Sequence, residues 1–533
     1  MPNKPLQYAT LTSPGFFGLN SQDSGVSMDQ SFALTANNAI IDKSGRIAAR
    51  KGWTYRTSSG GTSSAPEVLF EFNNGDATYT MIACGNNKLF TGETTMTEKT
   101  VRNSTNSGDV SYTISDNNWQ IIQAQYEAGT TNSPHGYLVQ AGHPTLIYHK
   151  LGSTAHAHTG AFGFQRLGDI GSVPTGYTVT TFTPNCALAA YGRTWFADIG
   201  TDDNTVYYSV LLDGDNLSGV GSGYINLEQV VPGGDKIVAL AEHNNFLIVF
   251  CEYNIVIYSN ANDIDNLTLS DVIVGVGCIA RDSVQKIGTD ILFLSNSGIR
   301  SIGRTIQEKS APVRDISRNV RDQLLGYVAG EDKKTVRSVY SESEAFYLLT
   351  MPTSGFTFCF DLRQFLQDGS ARATIWDSIS PLSLYNTHDN RLLLGKTNGI
   401  ALYNAYNDNA TTYTFSYYTP YLDFGSPSVI KMLKKIGIVT IGASSTTFDI
   451  RWAFDYATNY KTARVVTPAA DVSEYGIAEY GIAEYSSSIT IENLKKQLSG
   501  NGNVVQIGLD AEVDGYPVSV QKLDIYAVTG RTI

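Results

Sequence analysis

The sequence predicts an all-β chain: a β-propeller of about seven blades, with six to eight compatible with the spacing, followed by an antiparallel β-sandwich-like domain. Three observations carry this expectation. First, the stretch 245–259 reads NFLIVFCEYNIVIYS, two apolar, β-branched strands around the polar turn Glu252-Tyr253-Asn254. Strands with so little polar relief are buried on both faces and need neighbours on either side. Second, looser copies occur at 78–92, 137–150, 186–211, 291–303, 345–361 and 391–404, each an apolar strand, a turn of Gly, Asn, Ser or Thr, and a second strand. A hairpin alone is marginal in water, so a series of them must stack into a shared core. Third, the closing residues Phe90, Tyr148, Tyr208, Tyr258, Ile302, Phe360 and Tyr403 recur at intervals of about 45 to 60 residues, near the period of propeller blades.

A chain of 533 residues with 42% hydrophobic and 17% charged residues has enough apolar material for more than one core and little room for long disorder. Its 31 tyrosines and 49 glycines suit strands joined by tight turns. The net charge of −12 disfavours tight nucleic-acid binding, which needs Lys and Arg to neutralise phosphates. The five cysteines (Cys84, Cys186, Cys251, Cys278, Cys359) are widely spaced and show no C-x-x-C pairing. They read as small core hydrophobes rather than zinc or redox groups. The N-terminus lacks the apolar core of a signal peptide, and no apolar run reaches the roughly 18 residues of a membrane span. Synthesis in the cytoplasm without stable membrane insertion is therefore expected.

Three regions follow in order. Residues 1–60 form an N-terminal segment in which NNAIID and RIAARKGW read as two strands joined by Lys43-Ser44-Gly45. Residues 61–412 carry the hairpin series, with 152–178 and 311–328 as insertions between blades. The second insertion predicts a helix over 315–326, with Asp315 as N-cap and Ile316, Val320 and Leu324 on one face. A further helical stretch is expected at 491–498. Residues 413–533 alternate apolar and polar residues in longer strands, the pattern of half-exposed antiparallel sheets. Within them EYGIAEYGIAEYSSS (474–488) reads as an extended loop or projecting hairpin.

The N-terminal segment, in PGFFGLN…NNAIIDKSGRIAARKGW, resembles the signature of the tail nozzle proteins (tail tubular protein B and its relatives) of short-tailed bacteriophages. The matching residues are Phe17, Gly18, Leu19, Asn20, Asp42, Gly45, Arg46, Arg50, Lys51, Gly52 and Trp53. The ending GLDAEVDGYPVSVQKLDIYAVTGR looks like the final strands of the same family. The resemblance is sharp at both ends and architectural in the middle. It implies a structural virion protein, not an enzyme, needing no cofactor. Such a subunit would form a homohexameric ring at the distal end of the phage tail. The ring would dock on the tail adaptor, contact fibres or a needle, and enclose a channel through which genomic DNA passes without specific binding. An acidic wall suits that passage because it repels phosphates. The rival expectation is a propeller glycosidase or depolymerase, or a carbohydrate-binding propeller, acting on host surface sugars.

GKTNG (395–399) lacks the first P-loop glycine, since position 390 is Asn, and a strand follows it, so it reads as a hairpin turn. His156 and His158, with His149 nearby, read as a solvated pair rather than metal ligands. LLDGDNLSGVGSG (211–223) has Asp213 and Asp215 at calcium-loop spacing but no later Glu, so it reads as an Asx-rich turn. The S-x-D-x-G-x-x-W box of sialidases is absent. The remaining candidates are Arg46, Arg50, Lys51 and Trp53, read as a surface that docks on a neighbouring subunit or the adaptor. In that reading Trp53 anchors the hairpin and the arginines pair with a neighbour's carboxylates. Arg46→Glu with Arg50→Glu would then block assembly without changing the melting temperature.

Overall fold

The computed structural model describes residues 6–128, 131–151, 160–231, 234–288, 290–308, 315–469 and 491–532. Each of the seven hairpins read from the sequence forms paired strands: five lie within sheets of their own, 345–361 lies in a nine-stranded sheet, and 291–303 ends a three-stranded one. Tyr79–Gly85 pairs with Lys88–Thr91, and Phe246–Cys251 pairs with Asn254–Ser259. Leu392–Lys396 pairs with Gly399–Tyr403, so GKTNG is the hairpin its sequence suggested. Asn86 and Asn87 both take positive φ at the first of these turns, the conformation that matches a two-residue turn to the twist of its strands.

Flanking strands complete six blades of a β-propeller. Blade 1 spans Val68–Asn73 to Thr97–Lys99, blade 2 Gln120–Ala128 to Phe162–Arg166, and blade 3 Pro184–Ala190 to Gly223–Asn226. Blade 4 spans Ile237–His243 to Thr268–Val274, and blade 5 Arg337–Ser341 to Ala371–Trp376. Blade 6 holds Leu384–Asn386, Leu392–Lys396 and Gly399–Tyr403, and takes its fourth strand, Trp53–Tyr55, from the N-terminal segment. Between blades 4 and 5 the seventh hairpin stays a three-stranded sheet (Gln285–Ile287, Asp290–Ser295, Gly298–Ser301), because the chain then turns into the helix Ile302–Glu308.

Adjacent sheets share apolar layers. Trp195 and Val206 of blade 3 pack with Leu247, Val249 and Val256 of blade 4. Phe346 and Trp376 of blade 5 pack with Leu392, Leu394 and Tyr403 of blade 6. Leu69, Met81 and Ala83 of blade 1 meet Leu393 and Ile400 of blade 6 and close the ring. Each such fully buried side chain contributes about 1.5–3 kcal/mol by leaving water. All five cysteines are buried in these layers, and burial raises the thiols well above their ordinary range.

The remaining strands form two facing sheets. One contains Tyr413–Tyr418, Thr447–Phe454, Lys461–Val466 and Val505–Val513; the other contains Val429–Ile441, Ile491–Gln497 and Ser519–Thr532. Phe448, Ile450, Ile507 and Leu509 face Ile436, Ile438, Leu523 and Ile525 across the shared core. Leu6–Thr12 and the hairpin Ala39–Ile41/Ile47–Ala49 add to the second sheet. Thr35–Asn37 joins the first sheet to blade 5, pairing with Tyr413–Tyr418 on one side and with Ala371–Trp376 on the other. The result is one nine-stranded sheet running from propeller into sandwich.

Several expectations need correction. Residues 1–60 do not stand apart: their strands are distributed over the sandwich, the splice at Thr35–Asn37 and blade 6. The helix expected at 315–326 is a 3-10 turn at Arg318–Val320 followed by the helix Arg321–Ala329. Ile316, Val320 and Leu324 are buried as their spacing suggested. The N-cap position of that helix falls at Val320 rather than Asp315, which faces Arg300 at 3.4 Å while Ile316 donates to Ile299 O. The stretch expected as helix at 491–498 is the strand Ile491–Gln497, which pairs along Val429–Ile441; Leu494 turns inward between the polar Asn493 and Lys495. In 152–178, residues 162–166 are the fourth strand of blade 2 rather than an insertion, because Phe162 and Phe164 pack on Tyr148. His156, His158 and 474–488 lie outside the described residues.

Candidate functional site

The signature residues of the N-terminal segment meet at the joint between propeller and sandwich. Asp42 accepts from the backbone N–H of Ser44 and Arg46, while Gly45, at φ +76°, lets the chain reverse. Leu19 donates to Ala373 O of blade 5 at 2.7 Å. Gly18 lies so close to that strand that a Cβ would sit 2.7 Å from the same oxygen. Buried Asn20 accepts from the N–H groups of Gln22 and Asp23.

Arg50 is fully buried. Its guanidinium grips Asp408 with two parallel bonds of 2.9 and 2.7 Å, donates to Lys51 O and Asn38 Oδ1, and reaches Ser378 Oγ. All five N–H donors are thereby used. The plane also lies 4.0 Å above the Tyr413 ring. Arg46 pairs with Asp42 at 2.8 Å and Lys51 with Glu344. Trp53 is half-buried on blade 6, edge-on to Tyr55, with Lys396 Nζ 5.0 Å over its ring. Burial there pushes the Lys396 ammonium down to about 8. Burial takes Arg50 out of the expected docking surface, while Arg46, Lys51 and Trp53 stay partly exposed. The carboxylates that Arg46, Arg50 and Lys51 engage belong to this same chain, and Arg50 has no surface to offer a neighbour. The four residues are not one patch but successive anchors of a structural joint.

A second cluster sits where the innermost strands begin. Arg281, from the short sheet's entry turn, donates to Asn185 O of blade 3 at 2.7 Å and to Asn118 O and Oδ1 of blade 2. Arg337 of blade 5 donates to Asn118 Oδ1 at 2.6 Å and to Glu67 O beside blade 1. Asp282 lies between the two guanidiniums, at 2.9 and 2.7 Å. Bonds between sheets that are not ring neighbours must cross the middle, so this network is a hub tying the blades together. Burial works to raise the Asp282 carboxyl, but Arg281 and Arg337 together hold it below the usual range. A carboxylate fixed in the ionised form by two cations is a structural anion, not a proton donor.

A third cluster is a cleft of about 420 Å³ at the seam between blades 1 and 6. Glu71 on blade 1 accepts from the backbone N–H of His388 at 2.7 Å and contacts its Nδ1 at 2.9 Å. The His388 ring stacks on Tyr79 at 3.7 Å with planes 9° apart. Arg391 bonds Asp389 and Glu93, and Glu93 also receives Arg56. Hydroxyls of Thr80, Thr91, Thr95 and Thr97 line the rest. No sequence motif marked these residues, because the contributing turns are far apart in the chain and each alone reads as a polar loop. The same holds for Arg281 and Arg337, each an ordinary charge in its own stretch of sequence.

The Asx-rich turn at 211–223 also hides chemistry. Asp215 is buried against blade 2, where it accepts from Tyr137 Oη at 2.6 Å and meets His135 Nδ1 at 3.1 Å. Burial works to raise its carboxyl, but the adjacent His135 and the Tyr137 hydroxyl outweigh that and hold it at about 2. A carboxyl depressed in the fold adds stability that is complete above its unfolded value near 3.8 and is lost as pH falls through about 2. Asp215→Asn should remove about 2 kcal/mol of acid dependence between pH 4 and pH 2. Urea titrations of both proteins across that range would show it. Parallel stability profiles would mean the pair contributes no linkage.

No family model and no curated protein matches the chain. Among solved structures it is similar to a glycoside hydrolase family 43 arabinoxylan arabinofuranohydrolase from Bacillus subtilis, at 10% identity and a TM-score of 0.28, covering 89% of this chain and 99% of that one. It is also similar to the extracellular domain of a one-component-system protein from B. thetaiotaomicron, at 11% identity and a TM-score of 0.26. That match covers 67% of this chain and spans 40% of the other's length. At these identities and TM-scores neither likeness bears on the fold or function of this chain.

Proposed function

We propose that the chain is a structural subunit of a short phage tail, the nozzle ring through which the genome leaves. One observation carries the reading: the residues that resemble the nozzle signature are the ones that weld propeller to sandwich. Gly18, Leu19 and Asn20 seat the N-terminal segment on blade 5, Asp42 and Gly45 form the hairpin of the second sandwich sheet, and Arg50 locks to Asp408. A welded two-part body suits a ring subunit that must hold its shape under load, with loops free for neighbours. The acidic excess of 50 over 38 charged residues suits a channel wall that DNA slides past. In this reading six copies form the ring, dock on the adaptor and bear fibres or a needle in the virion. The test is quantitative mass spectrometry and antibody labelling of particles from a phage that encodes the chain. Six copies per particle with label at the distal tail end are expected. A chain missing from purified particles would overturn the proposal.

The seam cleft favours a second reading, a carbohydrate-binding propeller. An aromatic ring beside an arginine, carboxylates and four threonine hydroxyls is the donor and acceptor set that sugars use. Glycan-array binding that is lost in Tyr79→Ala would support it, and an array showing no binding would end it.

A further inference from the structure

We propose that Glu71, His388 and Asp389 form a divalent transition-metal site that clasps the first blade to the last, with zinc the ion that fits best. The inference rests on geometry at the seam and is independent of the nozzle reading. One ligand atom from each of the three residues lies within 4.8 Å of the others, close enough to share one ion. The residues come from opposite sides of the ring closure. Glu71 lies on the strand Val68–Asn73 of blade 1, whereas His388 and Asp389 sit in the turn before Leu392–Lys396 of blade 6.

Three further features fit a metal better than a bare hydrogen-bonded pair. Tyr79 fixes the plane of the imidazole by stacking, so its Nδ1 is aimed at the Glu71 carboxylate. Both carboxylates are already oriented by outer donors, as ligating carboxylates are in built sites. The backbone N–H of His388 holds Glu71, while Arg391 at 2.7 Å and the Thr387 hydroxyl hold Asp389. A carboxylate oxygen can keep such a bond and still give its second lone pair to an ion. Arg391 also remains paired with Glu93 at 2.7 Å, so a shift of Asp389 toward an ion does not strand it.

One imidazole and two carboxylates favour zinc or manganese over calcium and magnesium, which prefer all-oxygen shells. Zinc ranks above manganese at such nitrogen and oxygen donors. With three protein ligands the fourth position takes water, which the exposure of His388 and Asp389 allows. On binding, the His388 Nδ1 lone pair goes to the ion and the ring's proton resides on Nε2.

The experiment is calorimetric titration of the metal-stripped full chain with zinc chloride, together with melting curves with and without zinc. One zinc per chain and a raised melting temperature are expected. His388→Ala should abolish that binding, and Asp389→Asn should weaken it at least about tenfold. His156→Ala with His158→Ala should leave it unchanged. Circular dichroism checks each apo variant, and should His388→Ala not fold, the exposed-site variant Asp389→Asn decides. Absence of stoichiometric zinc, or a zinc that survives Asp389→Asn at full affinity, overturns the proposal.

Discussion

Arg50→Ala should cost the fold about 3–5 kcal/mol, because it strips the largely covered Asp408 of both bonds to the fully buried guanidinium. Asn38, Ser378 and the Lys51 carbonyl lose a partner at the same stroke, and Tyr413 loses the plane stacked above it. Arg50→Lys should recover little, since an ammonium cannot reproduce the planar fork that meets two carboxylate oxygens. Arg46→Glu provides the contrast: its pair with Asp42 is partly exposed, and exposed pairs are worth about 0–1 kcal/mol. Urea midpoints of the three variants should therefore fall far below, far below and close to the parent. A folded Arg50→Ala protein with the parent midpoint would mean the joint is not held by this residue.

The second large effect is expected at the hub. Arg337→Ala removes one of the two cations that neutralise Asp282 and cuts the link from blade 5 to Asn118 of blade 2. The loss should again be about 3–5 kcal/mol, the range for breaking a desolvated pair from one side. Arg337→Ala combined with Asp282→Ala should cost less than the sum of the single changes, because neither charge is then left alone. A double-mutant cycle on urea midpoints measures that coupling. Strictly additive losses would show that the two groups do not depend on each other.

Much of the propeller was legible because its signal is local. Each sheet's middle hairpin is a continuous apolar stretch with a marked turn, so Phe246–Ser259 and Leu392–Tyr403 could be read without knowing their neighbours. The edge strands were not legible. Trp53–Tyr55 and Thr35–Asn37 are too short to carry a period, and their partners lie more than 300 residues away. Arg50 was misread for the same reason. A basic residue among Ala, Lys and Gly resembles a solvated strand end, and only Asp408, brought close by the fold, turns it inward. The seam cluster and the hub share that character, since every member is ordinary in its own stretch of sequence.

The pairing of the chain's two ends has a consequence for how the protein is made. Leu6–Thr12 aligns with residues 522–528, Thr35–Asn37 with 416–418, and Trp53–Tyr55 with 401–403, three closures nested one inside another. None can form until synthesis has passed the later partner. At about 5–20 residues per second the N-terminal segment waits on the order of a minute after leaving the ribosome. During that time blades 1 to 4 have their own strands in hand, while the edge of blade 6 stays open. Contacts of such long sequence separation also slow the final step, because loop closure must precede any gain from pairing. The interval before closure is when unpaired strand edges are most exposed to other chains, so yield of folded protein should depend on chaperone supply more than on the stability of the finished ring.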